Sequence, residues 1–190
     1  MSINIVEVEF FRHPIYNDYA ASPDGEIYSL KKDRVRSIKQ SEYRNGYFYF
    51  SIYHGKICKK YLSHRFIYES INNEILDENI DIDHIDRNPR NNNITNLRKV
   101  GRVTNALNKY NNVEVDKLPD DAIKVIKYND NKFTDLYFSP TTNCLYRYSD
   151  DYLFEIPFKS RNRVTIYDIE INRVWIHLNR LREILGYPKI

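Results

Sequence analysis

Asp83 and His84 stand side by side, Asn96 follows the histidine by twelve residues, and Asn105 follows by nine more. They sit in "DIDHIDRNPRNNNITNLRKV", residues 81–100, a stretch too rich in Asp and Asn to be explained by apolar burial. A neutral imidazole is a suitable general base near pH 7. A carboxylate and a carboxamide oxygen are hard donors of the kind Mg²⁺ accepts, with water and phosphate completing its shell. Hydrolysis of a phosphodiester needs both functions: an activated water, and neutralised charge on the phosphate and the leaving oxygen. A lone histidine in an Asn-rich loop is more often structural, so the ordered set of Asp, His, Asn and Asn carries the argument, not the histidine alone.

The elements that must position these residues can be read from periodicity. "NIDIDH" (79–84) alternates Ile80 and Ile82 with Asp81 and Asp83 and reads as a short strand. "RNPRNNN" (87–93) reads as a loop, because Asn and Pro disfavour both regular states. "NLRKV" (96–100) reads as a second short strand. "RVTNALNKY" (102–110) reads as a helix with Val103, Leu107 and Tyr110 on one face and Asn105 off it. Strand, loop, strand and helix within about 30 residues make a ββα unit.

Upstream, "YAASPDGEIYSL" (19–30) predicts two strands about a Pro23-Asp24-Gly25 turn, and Asn45-Gly46 marks a further hairpin. Tyr47, Tyr49, Ser51 and Tyr53 alternate with Phe48, Phe50 and Ile52. "LSHRFIYESI" (62–71) then takes helical spacing through Leu62, Phe66, Ile67 and Ser70. Lys31 to Arg65 hold ten basic residues against Asp33 and Glu42, a local charge of +8 in a chain whose net charge is only +3. Such a run is either a solvated face or a surface for a polyanion such as nucleic acid.

These residues resemble a known family. "DHIDRNPRNNNITNLRKVGRVTNALNK" is similar to the HNH motif of the ββα-metal nucleases, above all the HNH homing endonucleases of phage introns. Ser22-Pro23-Asp24-Gly25-Glu26-Ile27-Tyr28-Ser29 and His64-Arg65 also resemble segments of those proteins, so the likeness spans roughly residues 17–110. It implies His84 as general base, Asp83 and Asn105 as ligands of one divalent metal (Mg²⁺ or Mn²⁺), and Asn96 as the middle Asn that holds the loop and orients His84. Asn91 and Asn92 would tie the loop to backbone groups. Lys31, Lys32, Arg34, Arg36, Lys39, Arg44, Arg87 and Arg98 would contact DNA. Cleavage would leave 5′-phosphate and 3′-hydroxyl ends. A phage or viral origin is implied as well. One departure stands out, since the family often has Gly where this chain has Arg87.

The expected fold class is α+β: a basic sheet (17–61), a helix (62–71) and the ββα-metal motif (79–110) in a nuclease domain of residues 1–112. A linker (113–120) and a small α+β domain (121–190) would follow. "YFSPTTNCLYRY" (137–148) echoes residues 19–30, and "VWIHLNRLREIL" (174–185), read as a helix, echoes 61–71. The second domain is therefore either a degenerate repeat or an unrelated fold. Cys58 and Cys144 are far apart, which suits free thiols and no zinc site. "MSINIVEVEFFRH" lacks a signal-peptide pattern and no apolar run approaches a membrane span, so a soluble intracellular protein is expected. His64 reads as a helix-packing residue, and His13, His54 and His177 have no evident partner. A DNA-binding protein that keeps this fold without cleaving is the alternative to a nuclease.

Overall fold

The structure is a computed structural model describing residues 9–109, 112–168, 170 and 172–190. The chain divides into two compact units, Met1–Val100 and Gly101–Ile190.

The first unit begins with a four-stranded antiparallel sheet of β1 (Phe11–Arg12), β2 (Tyr19–Ala21), β3 (Ile27–Ser29) and β4 (Arg36–Ser37) in sequential order. A second sheet follows: β5 (Ser41–Glu42), β6 (Phe48–His54) and β7 (Ile57–Leu62). On β6, Phe50 and Ile52 are buried while their neighbours are not, as the alternation predicts. Helix α1 (Ser63–Asn72) continues directly from β7 and buries Phe66, Ile67 and Ser70. Leu62, expected on its apolar face, instead precedes the helix in extended conformation and is exposed. β8 (Ile80–His84) and β9 (Leu97–Gly101) pair as a two-stranded sheet. Tyr19, Ile27, Phe50, Phe66, Ile82 and Leu97 gather in one core, so both sheets, α1 and the β8–β9 pair share it.

A buried carboxylate locks this core. Glu69 on α1 accepts from Tyr61 Oη at 2.5 Å, Arg65 Nε at 3.1 Å and the Leu76 backbone N–H at 3.1 Å, and bonds His13 Nε2 at 3.2 Å. The partner missing for His13 in sequence is thus Glu69. Burial by itself would raise the Glu69 pKa. The bonds from His13, Tyr61 and the Leu76 N–H, with the Arg65 charge, overcome it and hold the carboxyl below its ordinary value of 4.5.

The second unit begins with α2 (Arg102–Lys109). Tyr110, expected at its end, lies outside the described residues. After it come β10 (Val113–Glu114), β11 (Ile123–Lys124), β12 (Lys127–Tyr128), β13 (Asn131–Lys132), β14 (Leu136–Ser139), β15 (Cys144–Ser149) and β16 (Tyr152–Pro157). One five-stranded sheet runs β10-β16-β15-β14-β11, and β12 pairs with β13. The segment read as a linker therefore starts as an edge strand, Val113 facing Glu155. β17 (Arg163–Tyr167) and β18 (Arg173–His177) form a separate ribbon, followed by α3 (Leu178–Ile184). The helix expected over 174–185 is thus half strand. Val174 and Ile176 are buried while Trp175 is 50% exposed, a period of two that a helical count passing from Val174 to Leu178 overlooks. The architecture is α+β with small antiparallel sheets and three helices. Both units hold a hairpin at the echoed segments, but their sheets differ in strand number and order, and a repeat is not shown. Among the described residues no helix is long and apolar enough to cross a membrane, and both cysteines are free.

Removing the Glu69 carboxylate leaves several buried donors unsatisfied. Glu69→Ala is expected to lose about 3 kcal/mol of stability in urea unfolding followed by circular dichroism. Because the folded pKa is depressed, the wild-type contribution is full above 4.5 and fades as pH falls through the lower folded value. The gap between wild type and variant should therefore shrink in acid.

Candidate active site

β8 delivers Asp83 and His84 at its end. Successive strand residues point to opposite faces, and the two side chains find different partners. Both are buried. Asp83 Oδ2 accepts from Arg98 Nε at 3.1 Å. His84 Nε2 lies 3.0 Å from Asn92 Oδ1. A carboxamide oxygen can only accept, so this contact is a hydrogen bond when Nε2 carries a proton. The rings of His64 and Tyr47 surround this imidazole, with centroids 5.1 Å and 5.7 Å from it.

The loop after His84 has little backbone ladder and is held by side chains. The Ile85 N–H bonds the Asn96 carbonyl at 2.9 Å, tying the end of β8 to the approach to β9. The Arg87 N–H closes a turn on the His84 carbonyl at 2.9 Å, with Arg87 at φ 62. That is the left-handed region that favours glycine. A non-Gly residue pays roughly 1 kcal/mol for it. Asn96 spans the loop: its Oδ1 accepts from the Asp86 N–H at 3.0 Å, and its Nδ2 donates to Asp86 Oδ1 at 2.9 Å and to the Asn91 carbonyl at 2.8 Å. Asp86 also accepts from the Asn88 N–H and from Asn91 Nδ2, each at 2.8 Å. Partial burial pushes the Asp86 pKa up; the bonds from Asn91, Asn88 and Asn96, with His84 nearby, outweigh it and hold the carboxyl low. Asn93 Oδ1 accepts from the Thr95 N–H at 3.0 Å and caps the short turn leading to Asn96.

Two upstream turns press on this loop. The Gly25 N–H closes Ser22-Pro23-Asp24-Gly25 on the Ser22 carbonyl at 3.0 Å. Gly25 has φ +98, and a Cβ there would lie 3.1 Å from the Asn92 backbone. The Ile94 N–H bonds the Pro23 carbonyl at 2.9 Å. Gly46, at φ +88, would place a Cβ 2.9 Å from Pro89 Cγ. Arg90 donates to Glu42 Oε1 from Nε at 2.9 Å. The residue that steadies His84 is thus itself backed by the Ser-Pro-Asp-Gly turn.

The first unit brings Asp83, His84 and Asn96 into one hairpin. Asn105 lies on α2 in the second unit and is buried although off the apolar face. The start of α2 is held by Asp150, whose Oδ2 accepts from the Gly101 N–H at 2.9 Å and from Thr104 Oγ1 at 2.6 Å. Among the residues expected to touch DNA, Lys32, Arg34, Arg36, Lys39, Arg44 and Arg87 are exposed. Lys31 is half-buried and donates to the Tyr53 carbonyl at 2.6 Å. Arg98 is buried against Asp83 and does not stand on the surface. The sequence reading missed Asn92 as the partner of His84; His64, read as a helix-packing residue, is buried on α1 with its ring against that of His84.

Among the described residues no three His, Cys, Asp or Glu gather as a metal site. The Asp83 carboxylate on β8 is a donor type that suits a hard divalent cation.

If Asn96 holds the loop, its loss should act locally. Asn96→Ala is expected to speed amide hydrogen exchange over residues 86–91 by about tenfold or more while amides of α1 keep their protection.

Residues 61–107 match the family model described as HNH endonuclease. A solved structure of the HNH homing endonuclease I-HmuI, from work on its DNA binding and cleavage, is similar at 31% identity with a TM-score of 0.46. That likeness covers 54% of this chain and 57% of the I-HmuI chain, so the chain matches little more than half the length of that protein. No curated protein sequence matches significantly. Over residues 61–107, from the end of β7 through most of α2, the chain carries an HNH endonuclease domain.

Proposed function

We propose that this protein is a metal-dependent DNA endonuclease of HNH type, homing-like, that hydrolyses phosphodiester bonds to leave 5′-phosphate and 3′-hydroxyl ends. The observation that carries the reading is the imidazole of His84, held through Nε2 by Asn92 at 3.0 Å beside Asp83, within the HNH segment. Nδ1 of His84 takes the proton of the attacking water. Asn92 accepts from Nε2–H, which holds the neutral ring in the tautomer that leaves Nδ1 basic and stabilises the imidazolium that then forms. Asp83 would hold one Mg²⁺ or Mn²⁺, its carboxylate fixed by Arg98 Nε at 3.1 Å, and Asn105 would be the second protein ligand. The cation, when bound, neutralises the phosphate and stabilises the leaving oxygen. Asn96 holds the loop. Asparagine suits this place because it bonds backbone without adding negative charge near an anionic substrate.

Lys32, Arg34, Arg36, Lys39, Arg44 and Arg87 contact DNA phosphates, and Lys31, bonded to Tyr53, supports them. Residues 1–112 act as the nuclease domain and residues 121–190 as an accessory DNA contact. A DNA-binding protein that has kept this fold without cleaving is the alternative class.

The test is conversion of supercoiled plasmid with Mg²⁺ or Mn²⁺ against EDTA. Metal-dependent nicking or linearisation is expected, with ends that ligase reseals. His84→Ala should slow it by about a hundredfold or more. A plasmid carrying a selected high-affinity site that is bound yet stays intact in either metal would leave the binding-protein reading in place.

A further inference from the structure

The outer face of the β17–β18 ribbon carries side chains that the nuclease reading does not use. Val164, Ile166, Val174 and Ile176 enter the core of the second unit. Alternation therefore puts Arg163, Thr165, Tyr167, Arg173, Trp175 and His177 together on the other face. Thr165 stands opposite Trp175, Arg163 opposite His177 and Tyr167 opposite Arg173. The guanidinium carbons of Arg163 and Arg173 each lie 5.2 Å from the centroid of the Trp175 ring. By register they flank that ring from its two sides along the strand. A cleft of about 300 Å³ opens beside the ribbon, lined by Val103 and Ala106 of α2 as well as by Lys159 and this Arg-Trp-Arg row.

An exposed tryptophan between two arginines can be a simple packing arrangement, and three observations favour a ligand surface. First, Trp175 remains 50% exposed despite both neighbours, a poor use of a large apolar ring unless something covers it. Second, stacking engages the face of a guanidinium and leaves its in-plane N–H donors for an oxyanion. Arginines already ordered by a ring lose less side-chain entropy when they bind. Third, the charge is lopsided. Residues 159–177 hold Lys159, Arg161, Arg163 and Arg173 against Asp168 and Glu170. The Asp168 carboxylate is spent in the hairpin turn, accepting from the Asn172 N–H at 2.8 Å and the Glu170 N–H at 3.0 Å. A two-stranded ribbon is also narrow enough to enter a major groove.

We propose that the outer face of β17–β18 is a second contact surface for duplex DNA, with Arg163 and Arg173 on phosphates and Trp175 against the sugar or base edges between them. This rests on the DNA-acting reading above and assigns named residues to the accessory contact of the second unit.

Trp175 is the single tryptophan of the chain, so its fluorescence reports this surface directly. The experiment is titration of the full-length protein with sonicated duplex DNA in EDTA, starting at about 50 mM salt. Binding should quench or shift Trp175 emission. Arg163→Ala with Arg173→Ala should weaken binding about tenfold and flatten the slope of log affinity against log salt by about 2. The double change to Lys should restore the slope, which a variant that merely fails to fold would not do. Undisturbed emission with an unchanged slope, in a protein that still binds DNA, would overturn the ribbon surface and leave the nuclease reading standing. A wild-type protein that does not bind DNA at that salt would overturn both.

Discussion

One imidazole must be held still at the end of a strand, beside a loop with almost no backbone ladder of its own. Most of the first unit can be read as the answer to that constraint. Side-chain amides hold the loop from Ile85 to Asn96: Asn96 bridges Asp86 and Asn91, Asn93 caps Thr95, and Asn92 meets the imidazole. Each such bond contributes only about 1 kcal/mol net. Their value lies in number and geometry, since together they leave the loop few alternatives. Carboxylates could supply the same acceptors, but they would add negative charge where a phosphate is proposed to sit. The one carboxylate in the loop, Asp86, is wrapped by donors and stays ionised at low cost.

Support for the loop comes from outside it. Gly25 and Gly46 each occupy a left-handed turn whose missing Cβ lets another chain segment approach, the Asn92 backbone in one case and Pro89 in the other. Two short hairpins of the N-terminal sheets thus act as struts against the loop. Behind them, Glu69 ties Tyr61, Arg65, His13 and Leu76 into one buried network, and α1 in turn places His64 beside His84. Arg87 runs the other way. It holds a left-handed conformation at φ 62 with a full side chain, a local cost that an exposed cation at the proposed DNA surface can offset through phosphate contact.

Much of this was legible in sequence because it follows local rules. Alternation gives β6 and β8, helical spacing gives α1 and α2, and Pro23-Asp24-Gly25 and Asn45-Gly46 announce their turns. The order of Asp83, His84, Asn96 and Asn105 pointed to the HNH segment that the family match supports. What was not legible depends on pairs distant along the chain. Nothing near His13 or Arg98 announces that each meets a buried carboxylate. Asn92 lies eight positions after His84, and only the closed loop decides that Asn92, not Asn96, meets the ring. Residues 174–177 fit a helical stripe through Val174, Leu178, Leu181 and Leu185, while the strand signal of Val174 and Ile176 lies in a strand of only five residues.

The proposed hydrolysis depends on which nitrogen of His84 keeps its proton. The measurement is ¹⁵N NMR of the imidazole in the protein at a pH where the ring is neutral, with the resonances assigned by comparison with His84→Ala. A proton on Nε2 and a lone pair on Nδ1 are predicted, with the balance moving toward a tautomeric mixture in Asn92→Ala. A proton resident on Nδ1 in the wild-type protein would contradict the orientation on which the proposed base depends.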